Sequence, residues 1–278
     1  MSETTRRAFV TSALATGFAL AVRPVTAQTI TTDSTDLEAG EVKIPAAGGQ
    51  MPAYRAMPKT GKDFPVILVV HEIFGVHEYV RDVCRRLAGA GVLAIAPDLF
   101  YRHGDATQIA EVDDIKKRIV DQVTDAEVFS SLDAAIAWAR QDGKGDVSRV
   151  AMTGFCWGGR IVWLYADYNP TLRAGVAWYG RLDGEKSDKT PKFPLDVAEG
   201  LRVPVLGLYA GDDASIPAES VARMKAALAR GKSGSEIVVY DGAPHGFHAD
   251  YRPSYRQDAA EDAWKLMLGW MRQHKVLG

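Results

Sequence analysis

Cys156 stands at the centre of Gly154-Phe155-Cys156-Trp157-Gly158-Gly159, between the apolar run Val150–Cys156 and a helical pattern running from Arg160 to Tyr165. Glycines two places either side of a nucleophile let the chain reverse tightly, because a Cβ at either place would collide with the returning backbone. The thiol then sits at a helix N-terminus, where unpaired N–H groups and the dipole favour an anion, so its pKa is expected to fall. The same glycines also suit an ordinary strand-to-helix turn around an incidental cysteine. The distinction lies in whether an acid and a base follow.

In such an architecture an Asp or Glu and then a His come later in the chain, each on a loop after a later strand. Asp213 follows the run Val203–Tyr209 in Gly211-Asp212-Asp213, and His245 follows Glu236–Tyr240 in Gly242-Ala243-Pro244-His245-Gly246-Phe247. Asp212 is the competing acid. Cys84 offers a contrast: it falls in the stripe Val80, Val83, Cys84, Leu87, Ala88 of a core-facing helix, so packing accounts for it. The two thiols are not expected to pair.

These residues need a scaffold of alternating strands and helices. The strand runs are Pro65–His71, Val92–Pro97, Val150–Cys156, Ala174–Tyr179, Val203–Tyr209 and Glu236–Tyr240, nearly all apolar, as strands covered on both faces should be. Glu41 to Met57, with Gly48-Gly49 near its centre, suggests a hairpin ahead of them. Thr124 and Glu127 form a capping-box signature before the stripe Val128, Leu132, Ala135, Ile136, Ala139. The stripe Ala260, Ala263, Trp264, Met267, Leu268, Met271 predicts a C-terminal helix. The pattern predicts one α/β domain over 41–278, with a mainly parallel sheet and helices on both faces.

Residues 1–27 read as a targeting segment: Arg6-Arg7, a mild apolar run from Ala8 to Val22, then Val25-Thr26-Ala27 as a small-residue cleavage site. The run is shorter than the about 20 residues needed to span a bilayer, so no stable membrane anchor is expected. Thr5-Arg6-Arg7-Ala8-Phe9-Val10 resembles a bacterial twin-arginine signal, which implies the twin-arginine export machinery as a partner and a periplasmic location. Residues 28–40, rich in Thr and Asp, are expected to form an exposed, mobile leader.

The 278 residues are 47% hydrophobic and 24% charged, enough to build a large core and too ordered a composition for a disordered or coiled-coil chain. A net charge of −2 argues against nucleic acid as a partner. Two cysteines cannot make a disulfide framework. His71, His77, His245 and His248 include no i, i+4 helical pair and no Cys-x-x-Cys anchor, so neither a metal nor another cofactor is implied.

From about Pro65 to the C-terminal helix the chain resembles the dienelactone hydrolase family (carboxymethylenebutenolidase), cysteine-dependent members of the α/β-hydrolase fold. The resemblance rests on His71-Glu72-Ile73-Phe74-Gly75-Val76, Pro97-Asp98-Leu99-Phe100-Tyr101-Arg102, the Cys156 turn, Gly211-Asp212-Asp213 and Gly242-Ala243-Pro244-His245. It implies that Cys156 attacks the carbonyl of a small ester or lactone, His245 serves as base and acid, and Asp213 orients the imidazole. It implies an oxyanion hole of the Ile73 and Trp157 backbone N–H groups, each worth about 3 kcal/mol in the transition state. It also places Glu72 beside the resting thiol, guarding it from oxidation.

Arg102 matches a family position that binds the substrate carboxylate, with Tyr101 next to it. The family's dienelactone-cleaving members carry a Ser directly after the catalytic His and an Arg three residues further on. Gly246 and Ala249 stand here instead, which argues against dienelactone itself as the substrate, and Arg252 is the candidate to compensate. Phe74, Tyr101, Trp157, Trp178 and Tyr179 are either pocket-lining or core aromatics, and the polar segment Arg181 to Gly200 is a candidate pocket rim. The same machinery suits a broad-specificity carboxylesterase or thioesterase. A non-catalytic binding protein of this fold would have no use for the complete set.

Overall fold

The computed structural model describes residues 29–278; the expected export signal over 1–27 lies outside them. The apolar runs form strands β1 (Leu37–Ala46), β2 (Gly49–Pro58), β3 (Phe64–Val70), β4 (Leu93–Pro97), β5 (Gly145–Phe155), β6 (Ala174–Trp178), β7 (Val205–Ala210) and β8 (Glu236–Tyr240). They make one eight-stranded sheet in the order β1-β2-β4-β3-β5-β6-β7-β8. β1 and β2 form an antiparallel hairpin, β2 also runs antiparallel to β4, and every pairing from β4 through β3 to β8 is parallel. This is the order of the α/β-hydrolase fold. Every residue of β4, β6 and β7 is buried. Successive side chains point to opposite faces of a sheet, so these strands must be covered on both.

The cover comes from amphipathic helices, chiefly α1 (Glu78–Gly89), α2 (Val112–Arg118), α3 (Asp125–Gln141), α4 (Trp157–Tyr168), α5 (Pro194–Val197), α6 (Ala218–Arg230) and α7 (Gln257–Gln273). α3 starts at the expected capping box, in which Thr124 Oγ1 accepts from the Glu127 N–H (3.1 Å) and Glu127 returns a carboxylate to the Thr124 N–H (2.9 Å). α1 buries Val80, Val83, Cys84, Leu87 and Ala88 against the sheet. Cys84 is a free, fully buried thiol whose pKa burial pushes up, so it is inert packing.

The leader boundary differs from expectation. Leu37 to Gly40 already pair with β2, and the segment before them is tethered: the Thr32 N–H donates to Asp82 on α1 at 2.6 Å, and the Ile30 N–H reaches Asp250 at 3.4 Å. Thr and Asp composition signals exposure, but strand pairing is a tertiary property that composition does not carry.

Arg102 and Tyr101 also depart from their expected place. Their loop after β4 turns towards the hairpin, whose two-residue turn leaves the Ala47 carbonyl without a ladder partner. Arg102 Nε donates to that oxygen at 2.8 Å, Arg102 Nη2 and the Tyr101 hydroxyl donate to it as well, and the guanidinium lies 4.8 Å from the centre of the Tyr101 ring. An unpaired carbonyl is a strong attractor for such donors. The pair clamps the hairpin to the domain and does not face the strand ends where the candidate catalytic residues sit. Arg102→Ala should therefore lower the melting temperature by about 2–6 °C, from the loss of about 1–2 kcal/mol of charge-assisted hydrogen bonding. It should leave KM for ester substrates unchanged; a large rise in KM would restore Arg102 to the substrate site.

Candidate active site

The parallel strands present their carboxyl ends on one edge of the sheet, and the loops leaving β3, β5, β6, β7 and β8 meet there. Cys156 lies between β5 and α4 with φ 53° and ψ −114°, a conformation a non-glycine residue adopts only when its surroundings force it. Its N–H donates to the Trp178 carbonyl at the end of β6 (3.0 Å), and its carbonyl accepts from the Gly159 N–H (3.0 Å). A Cβ on Gly154 would lie 2.5 Å from the Gly158 carbonyl oxygen, and one on Gly158 would run into the Val70 carbonyl of β3. Backbone atoms cannot yield as a flexible side chain can, so both positions exclude a side chain. The sequence spacing thus marks a true strand-to-helix elbow, with the thiol half-buried at its apex.

Across this elbow His245 arrives on the loop after β8 and Asp213 on the loop after β7. His245 Nδ1 stands 2.6 Å from Asp213 Oδ2, and Cys156 lines the same cleft close enough to raise the pKa of that imidazole. Burial alone would disfavour the imidazolium. The hydrogen bonds with Asp213 and Cys156 outweigh it and raise the His245 pKa to about 10. Burial likewise works against ionised Asp213, but the His245 contact and two donors from Ser215 hold its carboxyl below the usual range. Those donors are the Ser215 N–H (2.8 Å) and hydroxyl (2.6 Å), both to Oδ1, and the hydroxyl oxygen also sits 3.3 Å from His245 Nδ1. Asp212, the rival acid, is exposed, and its backbone N–H donates to the Ala243 carbonyl.

Ile73, on the loop after β3, and Trp157, in the first turn of α4, line the same cleft as the thiol. Neither backbone N–H donates to another of the described residues. The Glu72 carboxylate is fully buried, and its oxygens accept from the Tyr251 hydroxyl and from Arg252 Nη1 at 3.3 Å; Arg252 in turn lines the cleft with Cys156. A guanidinium and a phenol offset the desolvation of a buried carboxylate. Arg252 is fitted to Gly246, which has φ +76°. A Cβ there would meet Arg252 Nη1 at 2.8 Å, so the glycine after His245 makes room for the guanidinium.

The site opens into a cleft of about 940 Å³ whose inner wall includes Cys156, His245, Ile73, Trp157, Tyr179 and Arg252. Its outer wall combines Val112 and Val120 from the α2 region with Phe193 and polar residues of the expected rim segment. That rim is held to the elbow helix by buried Arg160, which pairs with both Asp125 oxygens (2.7 and 2.8 Å) and donates to the Lys192 carbonyl (2.7 Å). Phe74, Trp157 and Tyr179 line the cleft, whereas Trp178 is core and donates to Thr153 at 2.9 Å. Arg102 and Tyr101 are not among its walls. Sequence reasoning missed Ser215 and Tyr251. The Asp-x-Ser spacing of a side-chain-capped turn signals the first, and no local pattern signals the second.

A thiol, an imidazole held by a buried carboxylate and backbone N–H groups around one cleft are the parts that acyl transfer requires. The model of the dienelactone hydrolase family matches residues 51–275. Proteins named “Putative carboxymethylenebutenolidase” from Methylorubrum extorquens and Escherichia coli (strain K12) are similar to this chain: the first is 56% identical over 98% of this chain and 94% of its own, the second 50% over 93% and 95%. The crystal structure of a “Putative Dienelactone Hydrolase” from Klebsiella pneumoniae superposes with a TM-score of 0.83 at 52% identity, covering 85% of this chain and 99% of that one. The chain belongs to the dienelactone hydrolase family and is an α/β-fold hydrolase of ester or lactone bonds.

Proposed function

We propose that hydrolysis proceeds through an acyl-enzyme on Cys156. The observation that carries this is the strained elbow thiol interacting with an imidazole that is itself locked on a buried carboxylate. The proton of the Cys156–His245 couple stands on the imidazole, as its raised pKa requires, and Cys156 Sγ adds to the carbonyl carbon. The negative oxygen that develops is met by the Ile73 and Trp157 N–H groups. As the tetrahedral adduct collapses, the C–O bond to the alcohol breaks and His245 returns its proton to the leaving oxygen. Water, deprotonated by His245, then attacks the thioester, releasing the acid and restoring the thiol. Arg252, aimed into the cleft and steadied by Glu72 and Tyr251, binds an anionic group of the substrate.

The cleft, about 940 Å³, lies in the range of small-molecule sites and admits a small ester or lactone as well as the larger substrates of a broader esterase or thioesterase. We further propose that Arg6-Arg7 directs export of the folded protein to the periplasm, where its substrate is met.

Cys156→Ala should lower kcat/KM on aryl esters by more than about 10⁴-fold. Wild-type protein quenched during turnover should gain the mass of the acyl group, and the variant should not. Normal turnover by the variant overturns the assignment of the nucleophile.

The raised His245 pKa also predicts a pH dependence of stability. A proton bound more tightly in the folded than in the unfolded state stabilises fully below about pH 6.5 and ceases to do so as pH rises through about 10. The melting temperature of wild type should fall across that window, and His245→Asn should flatten the fall; parallel curves would show that the imidazole gains no proton affinity on folding. For export, Arg6→Lys with Arg7→Lys in a bacterial host should leave active, folded enzyme in the cytoplasm, whereas undiminished periplasmic activity would remove the twin-arginine route.

A further inference from the structure

His71 is fully buried at the end of β3, and the mechanism above leaves it unused. Its Nε2 is 3.1 Å from the Leu99 N and its Nδ1 is 2.6 Å from the Glu72 carbonyl oxygen. A backbone N–H can only donate, so Nε2 is the acceptor and Nδ1 must carry the proton, which it donates to Glu72. The two contacts leave one neutral tautomer. Burial pushes the imidazole pKa down to about 4, so it keeps that form throughout the working range.

The Glu72 carbonyl and the Ile73 N–H are opposite edges of one planar amide. Holding the oxygen fixes the plane and so sets where the N–H points. The same imidazole stacks on the Trp157 indole, with centroids 5.6 Å apart and planes 16° from parallel, and meets Phe100 edge-on at 4.6 Å. His71 therefore bears on both N–H donors, on that of Ile73 through the carbonyl of its own peptide unit and on that of Trp157 through the ring, and Leu99 anchors it to the end of β4.

We propose that His71 is the positioning residue of the oxyanion hole: it aims the Ile73 N–H at the developing oxyanion and holds Trp157 in register with it. This rests on the reading that those two N–H groups form the hole. It needs no proton transfer and no contact between His71 and substrate. Its effect is confined to steps in which a carbonyl oxygen gains charge.

Leucine at position 71 fills much the same space but neither donates nor accepts. His71→Leu should reduce kcat on an aryl ester by about 10- to 100-fold, the cost of a misplaced catalytic group, while KM moves little. Alkylation of Cys156 by iodoacetamide develops no oxyanion, so its rate should match wild type. His71→Gln, which keeps one donor and one acceptor at similar reach, should recover most of the lost kcat, and His71→Asn, too short to span both partners, should not. Equal losses in alkylation and hydrolysis, an unchanged kcat in His71→Leu, or equal activity of the glutamine and asparagine variants would each overturn the assignment. Should the leucine variant be insoluble, the glutamine–asparagine pair decides alone. The hole itself is tested on wild type: an aryl trifluoromethyl ketone should inhibit far more tightly than its methyl ketone. Equal inhibition would refute the hole whatever the His71 variants do, and failure of the variants with that preference intact would refute only the role of His71.

Discussion

The backbone of Cys156, held at positive φ between β5 and α4, is the constraint from which the site follows. A side chain in that conformation costs roughly 1–3 kcal/mol, and it persists only where neighbours over-determine it. Here they do so from three strands at once. The Cys156 N–H is tied to the end of β6, Gly158 lies against the backbone of β3, and Gly154 lies under the first turn of α4. The elbow is thus a property of the parallel sheet as a whole. Its reward is a sulfur raised above the strand ends with free N–H groups beside it, reachable from the loops of neighbouring strands.

Around the cleft the charges are arranged in two couples, each a buried carboxylate with a partly exposed partner. Asp213 with His245 forms the first, stabilised by Ser215, whose N–H and hydroxyl spend two hydrogen bonds on the oxygen that His245 does not use. A carboxylate so furnished stays ionised despite burial and keeps the imidazole in one orientation. Glu72 with Arg252 forms the second. A buried ion pair returns little net stability once desolvation is counted, so its value here lies in fixing where the guanidinium stands in the cleft.

Much of this was legible because the residues concerned sit at positions that topology dictates. Cys156, Asp213 and His245 each follow an apolar run by a few residues, and a parallel sheet sends all such loops to one edge. Ile73 and Trp157 were expected from the family resemblance, and both line the cleft with Cys156. Side chains on long loops were not legible. Arg102 follows β4 as a substrate-binding residue would, yet its direction is decided by the Ala47 carbonyl of a hairpin some fifty residues earlier. Glu72 was expected from the resemblance, but its partners Tyr251 and Arg252, distant in sequence, were not. In both cases the deciding term is which partner best satisfies a buried polar group, and that partner is not a sequence neighbour.

The departure at Gly246 follows the same logic. With no side chain after His245, Arg252 from further along the loop comes close enough that a Cβ at 246 would make its guanidinium shift. The loop that makes this exchange is itself anchored behind the site. Asp250 accepts from Arg86 on α1 at 2.6 Å, and Arg86 also reaches Asp82 at 2.6 Å, which takes the Thr32 N–H of the N-terminal segment. The chain of contacts runs from the N-terminal segment through α1 to Asp250, next in the chain to the two residues that hold Glu72. A salt-bridge network thus fixes the loop beneath Arg252, so that a residue seven places after His245 reaches the cleft with a defined orientation.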